Sequence, residues 1–429
     1  MIRFIYNLLW PIGLLLFLPG YLVKMFRRGG YREKFGERLG IYDRHLRARL
    51  YWKKPIWLHA VSVGEVMIAQ KLARQIRALR PDQHCVLTTT TTTGFAFANR
   101  NAPDWIDVMY SPLDFWPIVR AAFGAIRPTK IILVEAEVWP NMVAEAAARK
   151  IPIALVNARL SPRSEKRFRM FRRFVAPTFR LLDLVCVQNA GDVEKWKTLG
   201  VAGDRISQVG SIKYDPEDMR IDPKLARTVL AGFGLENRTV IFGGSTHAGE
   251  EKILGEVFRA LRRDFVDLLL VLAPRHTERT NEVQRELKEM EFQVALRSQP
   301  PAVDPFLNCL LIDTTGELPH WYAAATLVFV GKSLHARGGQ NPAEAILAGK
   351  PVLFGPHMEN FGPLASSLVA NGGAIQVNSA TELRRTMAHL LANPEEREKM
   401  VANARQVLET HRGATARTAT LVGDLSKAE

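Results

Sequence analysis

Short apolar runs alternate with longer amphipathic stretches along most of this chain, and this alternation constrains its fold more than any other feature. The runs IWLHAV, CVLTTT, KIILVE, PIALVN, LVCVQN and ISQVGS have strand length, and stretches such as VMIAQKLARQIRALR between them have helix length. Strands and helices in alternation form βα units, whose strands pair in a parallel sheet. We therefore predict an α/β fold.

The alternation is interrupted once, by a polar, proline-containing stretch that has no strand-like run, SIKYDPEDMRIDPKLARTVLAGFGLENR. It restarts with TVIFGG, DLLLVLAP, CLLIDT, TLVFVG and PVLFG, and 429 residues are too many for one ordinary core. We predict two α/β domains, residues 55–212 and 238–400, joined by a linker over 213–237. The last helix-like stretch runs from about Pro394 to Leu425, and the carboxyl-terminal segment, 401–429, is able to pack back on the first domain.

The composition is that of a folded protein, with 47% hydrophobic and 24% charged residues. Cys85, Cys186 and Cys309 lie far apart, each within an apolar run, and none has the C-x-x-C spacing of a metal site. We predict that these cysteines are buried free thiols in a reducing compartment.

An apolar segment near the amino terminus predicts a membrane anchor. Twenty uncharged residues lie between Arg3 and Lys24, about the length of a helix that crosses a bilayer core. The segment continues into KMFRRGGYREK without the small residues of a signal-peptide cleavage site. We predict an uncleaved anchor over residues 1–24, and its prolines leave open whether it spans the membrane or lies in the interface. The alternative is a buried core helix.

The net charge of +15 is concentrated in two patches, the first of which follows the anchor. Lys24 to Lys54 contains eleven basic and three acidic residues. Positive flanks stay on the cytoplasmic side of a membrane and attract anionic lipid. We therefore predict a basic juxtamembrane segment over 25–54, with the two domains on the cytoplasmic side of the membrane.

The second basic patch runs from Arg159 to Arg180, with eight basic residues and one acid, Glu165. Aromatic residues interleave with its arginines, which a solvated helix face does not need. Nucleic acid fits the predicted anchor poorly, so we predict that the patch contacts a lipid phosphate or the membrane surface through Arg163, Arg167, Arg169, Phe171, Arg172 and Arg173.

Glu65 follows the strand-like run WLHAV and has two interpretations. Ser62 to Glu65 matches the capping box S-x-x-E, in which the carboxylate accepts a hydrogen bond from a backbone N–H at a helix start. This local role is the simpler interpretation. Alternatively, Glu65 is a general base at the carboxyl end of a strand, where open parallel sheets bind their ligands.

Glu135 and Glu137 close another strand-like run, ILVEAEVWPN. Alternation along a strand would send both side chains the same way. Such a pair can bind Mg²⁺ or orient a substrate hydroxyl, but E-x-E is a weak metal signal and no D-x-D occurs, so we predict no metal site.

Three loops of the second half suit an anion. GGSTHAGEE and LAPRHTER each follow a strand-like run, and the glycine-rich loop of FVGKSLHARGGQ precedes a short helix that begins at Asn341-Pro342. A glycine-rich loop alone is weak evidence of phosphate binding, but three such loops at one sheet edge are stronger. The candidate donor-loop residues are Ser245, Thr246, His247, Gly331, Lys332 and Ser333.

Taken together, the anchor and the motifs HAVSVGEV, VEAEVWPN, NARLS, GSIKYD, STHAGEE, PRH and GGQNPAEAILAGKPVLFGPH resemble the 3-deoxy-D-manno-octulosonic acid (Kdo) transferases. The resemblance runs in order from the anchor to near the carboxyl terminus. It implies the GT-B fold, in which two Rossmann-like parallel-sheet domains face a cleft. The NPAE helix is shared more widely among GT-B glycosyltransferases.

The resemblance implies inverting transfer of Kdo from CMP-Kdo to a tetra-acylated lipid A precursor in lipopolysaccharide biosynthesis. Glu65 would then be the general base, and Glu135 and Lys213 would stabilise the transition state. Lys332 departs from the family, since some relatives have glycine there. The resemblance places CMP contacts at Pro274, Arg275, Thr315, Gly316, Glu317, Asn341, Pro342, Ala343 and Glu344.

Two other functions remain open at this point. A nucleotide-sugar epimerase would share the architecture but would be soluble, and a non-catalytic lipid A-binding membrane scaffold would use Glu65 only as a cap. For the transferase we expect no cofactor and no metal, because a CMP-activated sugar leaves as a monophosphate that cationic groups and helix amino termini can stabilise. The sequence makes no prediction of oligomeric state.

Overall fold

A computed structural model of the chain describes residues 3–13, 15, 20, 34–215, 221–299 and 303–426. The chain forms two compact units. The first contains residues 1–215 together with 411–429, and the second contains residues 216–410. Each unit is built on one parallel sheet of seven strands, which confirms the predicted α/β class.

The first sheet has the strand order β3-β2-β1-β4-β5-β6-β7. Its strands are nearly continuous apolar runs, as expected where helices cover both faces of a sheet. The strands are β1 (Ile56–His59), β2 (Cys85–Thr89), β3 (Ile106–Tyr110), β4 (Lys130–Val134), β5 (Ile153–Ala158), β6 (Leu184–Val187) and β7 (Ile206–Gln208). The helices are α1 (Phe35–Arg38), α2 (Arg44–Lys53), α3 (Val63–Leu79), α4 (Thr92–Asn101), α5 (Trp116–Ile126), α6 (Pro140–Ala148), α7 (Pro162–Met170), α8 (Arg172–Phe179) and α9 (Ala190–Thr198).

The second sheet has the order β10-β11-β9-β8-β12-β13-β14. Its strands are β8 (Thr239–Thr246), β9 (Leu268–Pro274), β10 (Val294–Leu296), β11 (Cys309–Leu311), β12 (Leu327–Val330), β13 (Val352–Phe354) and β14 (Ile375–Gln376). Its helices are α10 (Pro223–Gly232), α11 (Glu250–Leu261), α12 (Thr280–Glu289), α13 (Leu318–Ala324), α14 (Ala343–Leu347), α15 (Gly362–Ala370), α16 (Ala380–Ala392) and α17 (Pro394–Glu409).

The strand order reverses direction at one point in each sheet. In the first sheet the chain leaves β1 toward β2 on one side and later returns to add β4 on the other side. In the second sheet β8 and β12 stand in the same relation. Open α/β sheets bind ligands beyond the carboxyl ends of the strands at such a switch point. The topology therefore directs attention to the loops that follow β1, β4, β8 and β12.

The predicted anchor is described only in part, because residues 1–2, 14, 16–19 and 21–24 lie outside the described residues. Residues 3–13 are helical. The Tyr6 hydroxyl donates a hydrogen bond to the Asp114 carboxylate at 3.1 Å, and the ring of Trp10 stacks on Phe115 with centroids 4.9 Å apart. Among the described helices, none combines the length and the apolar character needed to cross a membrane.

The basic segment and the linker are also described in part, since residues 25–33 and 216–220 lie outside the described ranges. The remainder of the basic segment contains α1 and α2, and the remainder of the linker contains α10. The helix-like stretch near the carboxyl terminus forms two helices, α17 in the second unit and α18 (Ala414–Asp424) in the first. Ala419 and Val422 of α18 are buried in the first unit's core beside Ile68 and Leu72 of α3.

Candidate active site

Glu65 lies in the first turn of α3, directly after the switch-point strand β1, and the predicted capping box forms there. Ser62 accepts a hydrogen bond from the Glu65 N–H at 3.4 Å. The Glu65 carboxylate accepts hydrogen bonds from the Val61 N–H at 2.8 Å and from the Ser62 hydroxyl at 2.7 Å. Burial raises the pKa of Glu65, and these two donors oppose the rise.

Glu135 follows β4, the strand beside β1. The prediction that a continuing strand sends the Glu135 and Glu137 side chains the same way is wrong. The strand ends at Val134, and Glu135 has a left-handed φ of 58°, so it begins a turn and does not continue the pleat. The turn still brings the carboxylates together. Burial, reinforced by the negative charges of Glu65 and Glu135, raises the pKa of Glu137 to about 7.

Lys213 belongs to the same group of charges. It lies in a short 3₁₀ turn, Ile212–Tyr214, that follows β7. Burial lowers the pKa of Lys213, and the adjacent Glu135 carboxylate opposes that effect. Three predicted residues of the first domain, Glu65, Glu135 and Lys213, are therefore electrostatic neighbours at the carboxyl edge of one sheet.

The segment that carries Lys213 is fixed on both sides of the lysine. The side-chain oxygen of Asn157 accepts hydrogen bonds from the Ser211 hydroxyl and from the Ile212 N–H, both at 3.1 Å. The Asp215 carboxylate accepts hydrogen bonds from Gly413 N–H at 3.0 Å and Thr415 N–H at 2.7 Å, at the start of α18. Lys213 is thus placed by β5 and by the carboxyl-terminal helix.

In the second unit, a buried carboxylate joins the loops that follow the switch-point strands. Glu250, 1% exposed, accepts hydrogen bonds from the backbone N–H groups of His247 at 2.9 Å and Lys332 at 2.7 Å. Its other oxygen accepts from Ser333 at 2.9 Å and Leu334 at 3.0 Å. The predicted donor-loop residues after β8 and β12 therefore form one structure.

Close backbone approach explains the glycine between these loops. A Cβ atom on Gly331 would lie 2.4 Å from the Ser245 carbonyl oxygen and 2.5 Å from the Thr246 Cα. Any side chain at residue 331 would separate the ends of β8 and β12. The third loop is joined to them through the Arg275 N–H, which donates to the Thr246 carbonyl at 2.9 Å.

Arg275, Asn341 and Glu344 form a second group of polar side chains at this edge. Asn341 donates to the Glu344 carboxylate at 3.2 Å and accepts from the Ala343 N–H at 3.1 Å. Burial raises the pKa of Glu344, and Asn341 and the Arg275 charge oppose the rise. Pro274 is buried at the end of β9, and Pro342 precedes α14.

The predicted loop Thr315-Gly316-Glu317 divides into an exposed and an internal part. Thr315 and Gly316 are exposed. The Glu317 carboxylate instead accepts two hydrogen bonds from Arg297, at 3.0 and 3.2 Å, and one from the Trp321 indole at 3.3 Å. The Glu317 side chain therefore stabilises the loop itself. Thr315 and Gly316 are the residues of this loop that are exposed to solvent.

The second basic patch folds as α7 and α8, and its predicted contact residues all lie on the surface. Met170, Phe171 and Phe174 are 70%, 48% and 56% exposed among the arginines. Phe168 differs, because its ring packs edge-on against Phe179 with centroids 5.5 Å apart. The predicted contact residues, each of which is exposed, are Arg163, Arg167, Arg169, Phe171, Arg172 and Arg173.

Sequence reasoning missed the roles of Glu250 and Arg159. Glu250 was visible only as an acidic residue in the first turn of a predicted helix, where most glutamates are solvated. The sequence signal that could have found Glu250 is the pair of acidic residues that follows the strand and the glycine in STHAGEE.

Arg159, in NARLS, lies close enough to Lys213 to lower the pKa of the lysine further. The two residues are far apart in the sequence, so the sequence did not indicate this contact.

Within the part of the chain that the structure describes, no three His, Cys, Asp or Glu side chains are placed to hold a metal ion.

Comparison with known families adds an independent observation. A family model described as 3-deoxy-D-manno-octulosonic-acid transferase (kdotransferase) matches residues 33–216. The 3-deoxy-D-manno-octulosonic acid transferase of Haemophilus influenzae is 33% identical over 390 residues, which cover 90% of this chain and 90% of that protein. The enzyme of the same name from Bordetella pertussis is 34% identical over 373 residues, covering 85% and 86%.

Solved structures support the architecture. The UDP-GlcNAc 2-epimerase from Neisseria meningitidis, solved with UDP-GlcNAc, matches 86% of this chain and 100% of its own with a TM-score of 0.58. Sequence identity between the two is 16%, so this likeness concerns the fold alone. It agrees with the predicted GT-B type, with one Rossmann-like parallel sheet in each unit.

Proposed function

Because this chain belongs to the Kdo transferase family and is therefore a glycosyltransferase, we propose that it moves Kdo from CMP-Kdo to a hydroxyl of a tetra-acylated lipid A precursor in lipopolysaccharide biosynthesis. The epimerase alternative shares only the fold, whereas relatives that cover most of the chain are transferases. The choice of donor and acceptor rests on the motif resemblance and on the charge of the site.

The observation that carries the proposed mechanism is the position of Glu65 at a switch point, beside Glu135 and near Lys213. Glu65 takes the proton of the acceptor hydroxyl as its oxygen attacks the anomeric carbon of Kdo. The bond from that carbon to the phosphate oxygen breaks, and CMP leaves with the electron pair. The Val61 N–H favours the ionised carboxylate that a base requires.

Capping and catalysis use the same carboxylate in turn. Without acceptor, the Ser62 hydroxyl donates to one Glu65 oxygen at 2.7 Å. Ser62 is exposed, so an acceptor hydroxyl can take the place of its hydroxyl without opening the core. The other oxygen keeps its bond to the Val61 N–H and holds the side chain in position.

Glu135 and Lys213 stabilise the transition state in this proposal. Lys213 is half-buried and lies beside the Glu135 carboxylate, so its positive charge is compensated in the resting enzyme. Charge that develops during transfer is then met by groups already in place, which costs little reorganisation.

The donor site is assigned to the second unit. Arg275, Asn341 and Glu344 would contact CMP, together with the exposed backbone of Thr315 and Gly316. The leaving group is a monophosphate, which carries less charge than a nucleotide diphosphate. Cationic side chains and backbone N–H groups can therefore stabilise it without a divalent ion.

We expect EDTA to leave the transfer rate unchanged, and a loss of activity that Mg²⁺ restores would contradict this.

The acceptor side of the proposal follows from charge. The phosphates of lipid A and the headgroups of anionic lipids are both acidic, and α7 and α8 present arginines with exposed apolar side chains between them. We place the enzyme at the cytoplasmic face of the inner membrane, with residues 1–24 as its anchor.

The overall reaction is tested with the purified full-length protein, CMP-Kdo and the tetra-acylated precursor, followed by mass spectrometry of the lipid. We expect a mass gain of one or more Kdo residues. No mass gain would refute the choice of donor and acceptor.

The base is tested by Glu65→Ala, with a matched control elsewhere in the chain. Ser379 and Glu382 form the same capping box at the start of α16, where Glu382 accepts from the Asn378 N–H at 2.8 Å. Loss of either box costs stability of about 1 kcal/mol. We expect Glu65→Ala to lower kcat by roughly 100-fold or more, and Glu382→Ala to leave kcat unchanged. Similar activity in both variants would return Glu65 to a purely structural role, as in the scaffold alternative.

A further inference from the structure

Lys332 has a backbone conformation that disfavours its own residue type. It lies directly after β12 with a left-handed φ of 57°. Glycine adopts this conformation without steric cost, whereas a side chain brings Cβ close to backbone atoms. Residue 332 is therefore a lysine in a backbone conformation that glycine would adopt at lower steric cost.

The bonds that Lys332 makes through its backbone do not explain this choice. Its N–H donates to Glu250 at 2.7 Å, and its carbonyl accepts from the Gly339 N–H at 2.8 Å. A glycine at residue 332 would make both bonds equally well. The reason for a lysine must therefore lie in its side chain.

The Lys332 side chain is half-buried and runs along the glycine-rich loop. A Cβ atom built on Gly338 would lie 3.5 Å from the Lys332 Cε, so the lysine stem lies in van der Waals range of the loop backbone at 338. Among the described residues, no carboxylate lies within ion-pair distance of the Lys332 ammonium. The charge is held in place without a protein anion to neutralise it.

Two histidines form a polar surface next to this lysine. The rings of His247 and His276 meet edge to face with centroids 5.6 Å apart. The Nε2 atom of His247 is buried and has no hydrogen-bond partner within the described part of the chain. After burial, the Lys332 charge is the largest influence that lowers the pKa of His247. The nearest carboxylate, Glu250, already accepts four backbone N–H groups.

Lys332 and Arg275 lie on different loops. Arg275 follows β9 and Lys332 follows β12, on either side of β8. Two strand spacings amount to about 10 Å, which two long side chains can bridge toward neighbouring groups of one ligand. In a 2-keto sugar acid joined to a nucleotide, the carboxylate is bonded to the anomeric carbon, beside the phosphate ester. Two adjacent anions of one donor thus match two adjacent cationic groups.

We propose that Lys332, supported by His247, binds the carboxylate of the sugar acid and makes the enzyme selective for an acidic donor sugar, while the Arg275 group binds the nucleotide phosphate. This inference rests on the proposed donor. It adds a specificity-determining residue to that site.

The test compares CMP-Kdo, which has both anions, with CMP, which has only the phosphate. Lys332→Gly removes the charge and adopts the residue that the backbone favours, and Lys332→Asn keeps a side chain that tolerates a left-handed φ. We expect both variants to raise KM for CMP-Kdo roughly 10- to 100-fold, as for one lost charge-assisted hydrogen bond. The inhibition constant of CMP and kcat should stay within about twofold, and Lys332→Arg should restore most of the lost affinity.

Lys150→Gly is the matched control, because Lys150 is an exposed lysine with the same φ of 57° in the first unit. Both glycine variants should melt at or above the wild-type temperature, and Lys150→Gly should leave KM unchanged. Equal losses for CMP and CMP-Kdo in Lys332→Gly would place the lysine on the phosphate and overturn the proposal, as would an unchanged KM. Failure of the proposed donor is distinct, since wild-type protein would then transfer nothing from CMP-Kdo.

Discussion

Three glutamates, Glu65, Glu135 and Glu137, share one half-buried region of the first unit, and such clustering opposes folding. Like charges close together in a poorly solvated place raise each other's pKa, and they persist where function requires them. Burial and the other two carboxylates raise the pKa of Glu137 to about 7. At neutral pH, Glu137 is protonated in part of the molecules, which reduces its electrostatic repulsion on Glu65, the proposed base.

Glu137→Gln should stabilise the protein in a pH-dependent way. Because the folded-state pKa lies above the ordinary value of 4.5, the ionised group costs stability fully above about pH 7. As pH falls from 7 to 4.5, Glu137 takes up a proton in the folded protein but not yet in the unfolded chain. The cost in stability therefore disappears by about pH 4.5. We expect a gain of roughly 1–3 kcal/mol at pH 8 that fades by pH 4.5, measured by urea unfolding.

The control for this prediction is Glu291→Gln, since the Glu291 side chain is 85% exposed and lies in the other unit. It should change stability little at either pH. An equal gain from Glu137→Gln at pH 8 and pH 4.5 would show that the carboxylate charge is not the cause.

At the scale of secondary-structure elements, α7 and α8 together have a surface that is both basic and apolar. Phe168 and Phe179 turn inward and join Trp196, with Phe179 and Trp196 centroids 5.6 Å apart. The remaining aromatic and methionine side chains point outward. The helices are therefore attached to the core on one side and present arginines and apolar groups on the other.

We expect charge reversal on α8 to weaken binding to anionic membranes. Arg172→Glu with Arg173→Glu should lower the affinity for phosphatidylglycerol vesicles, measured by cosedimentation at low salt, by about 30-fold or more, since each lost basic residue near the surface removes roughly 1 kcal/mol. Arg384→Glu with Arg385→Glu on α16 is the matched control, because it changes the net charge equally at exposed residues of the second unit. Equal losses in the two double variants would show a dependence on net charge alone.

At the scale of the whole molecule, the three cysteines report on the two units separately. Cys85 and Cys186 lie in strands of the first sheet and Cys309 in a strand of the second, and all three are buried free thiols, as predicted. Burial raises the pKa of Cys85 and of Cys186 to about 12 and also raises that of Cys309. Thiolate is therefore scarce in the folded protein.

Native protein should react very slowly with a thiol reagent, and labelling in increasing urea should follow each unit's own unfolding. Peptide mass spectrometry then distinguishes Cys309 from Cys85 and Cys186. If the units unfold independently, the two labelling curves have different midpoints; a single shared midpoint indicates one cooperative transition. Rapid labelling in buffer alone would contradict the buried positions.

The periodicity of the chain predicted the two parallel sheets, since strands buried on both faces are continuous apolar runs. The loop geometry could not be predicted in the same way. Glu135 leaves its strand through a left-handed φ, which no apolar pattern signals. The capping boxes at Ser62 and Ser379 share the S-x-x-E pattern and the two backbone hydrogen bonds of that box, and they differ in what lies beside them. That difference depends on Glu135 and Glu137, which the switch in strand order brings next to Glu65.

The return of the chain to its first unit, through residues 411–429, has a consequence for biosynthesis. The second unit is continuous in sequence, whereas the core of the first unit is complete only when α18 packs on α3 and the backbone of residues 413 and 415 binds Asp215. On the ribosome, residues 216–410 emerge before α18 does. The first unit therefore cannot complete its core until α18 has emerged, and until then the core residues that pack on Ala419 and Val422 lack that cover.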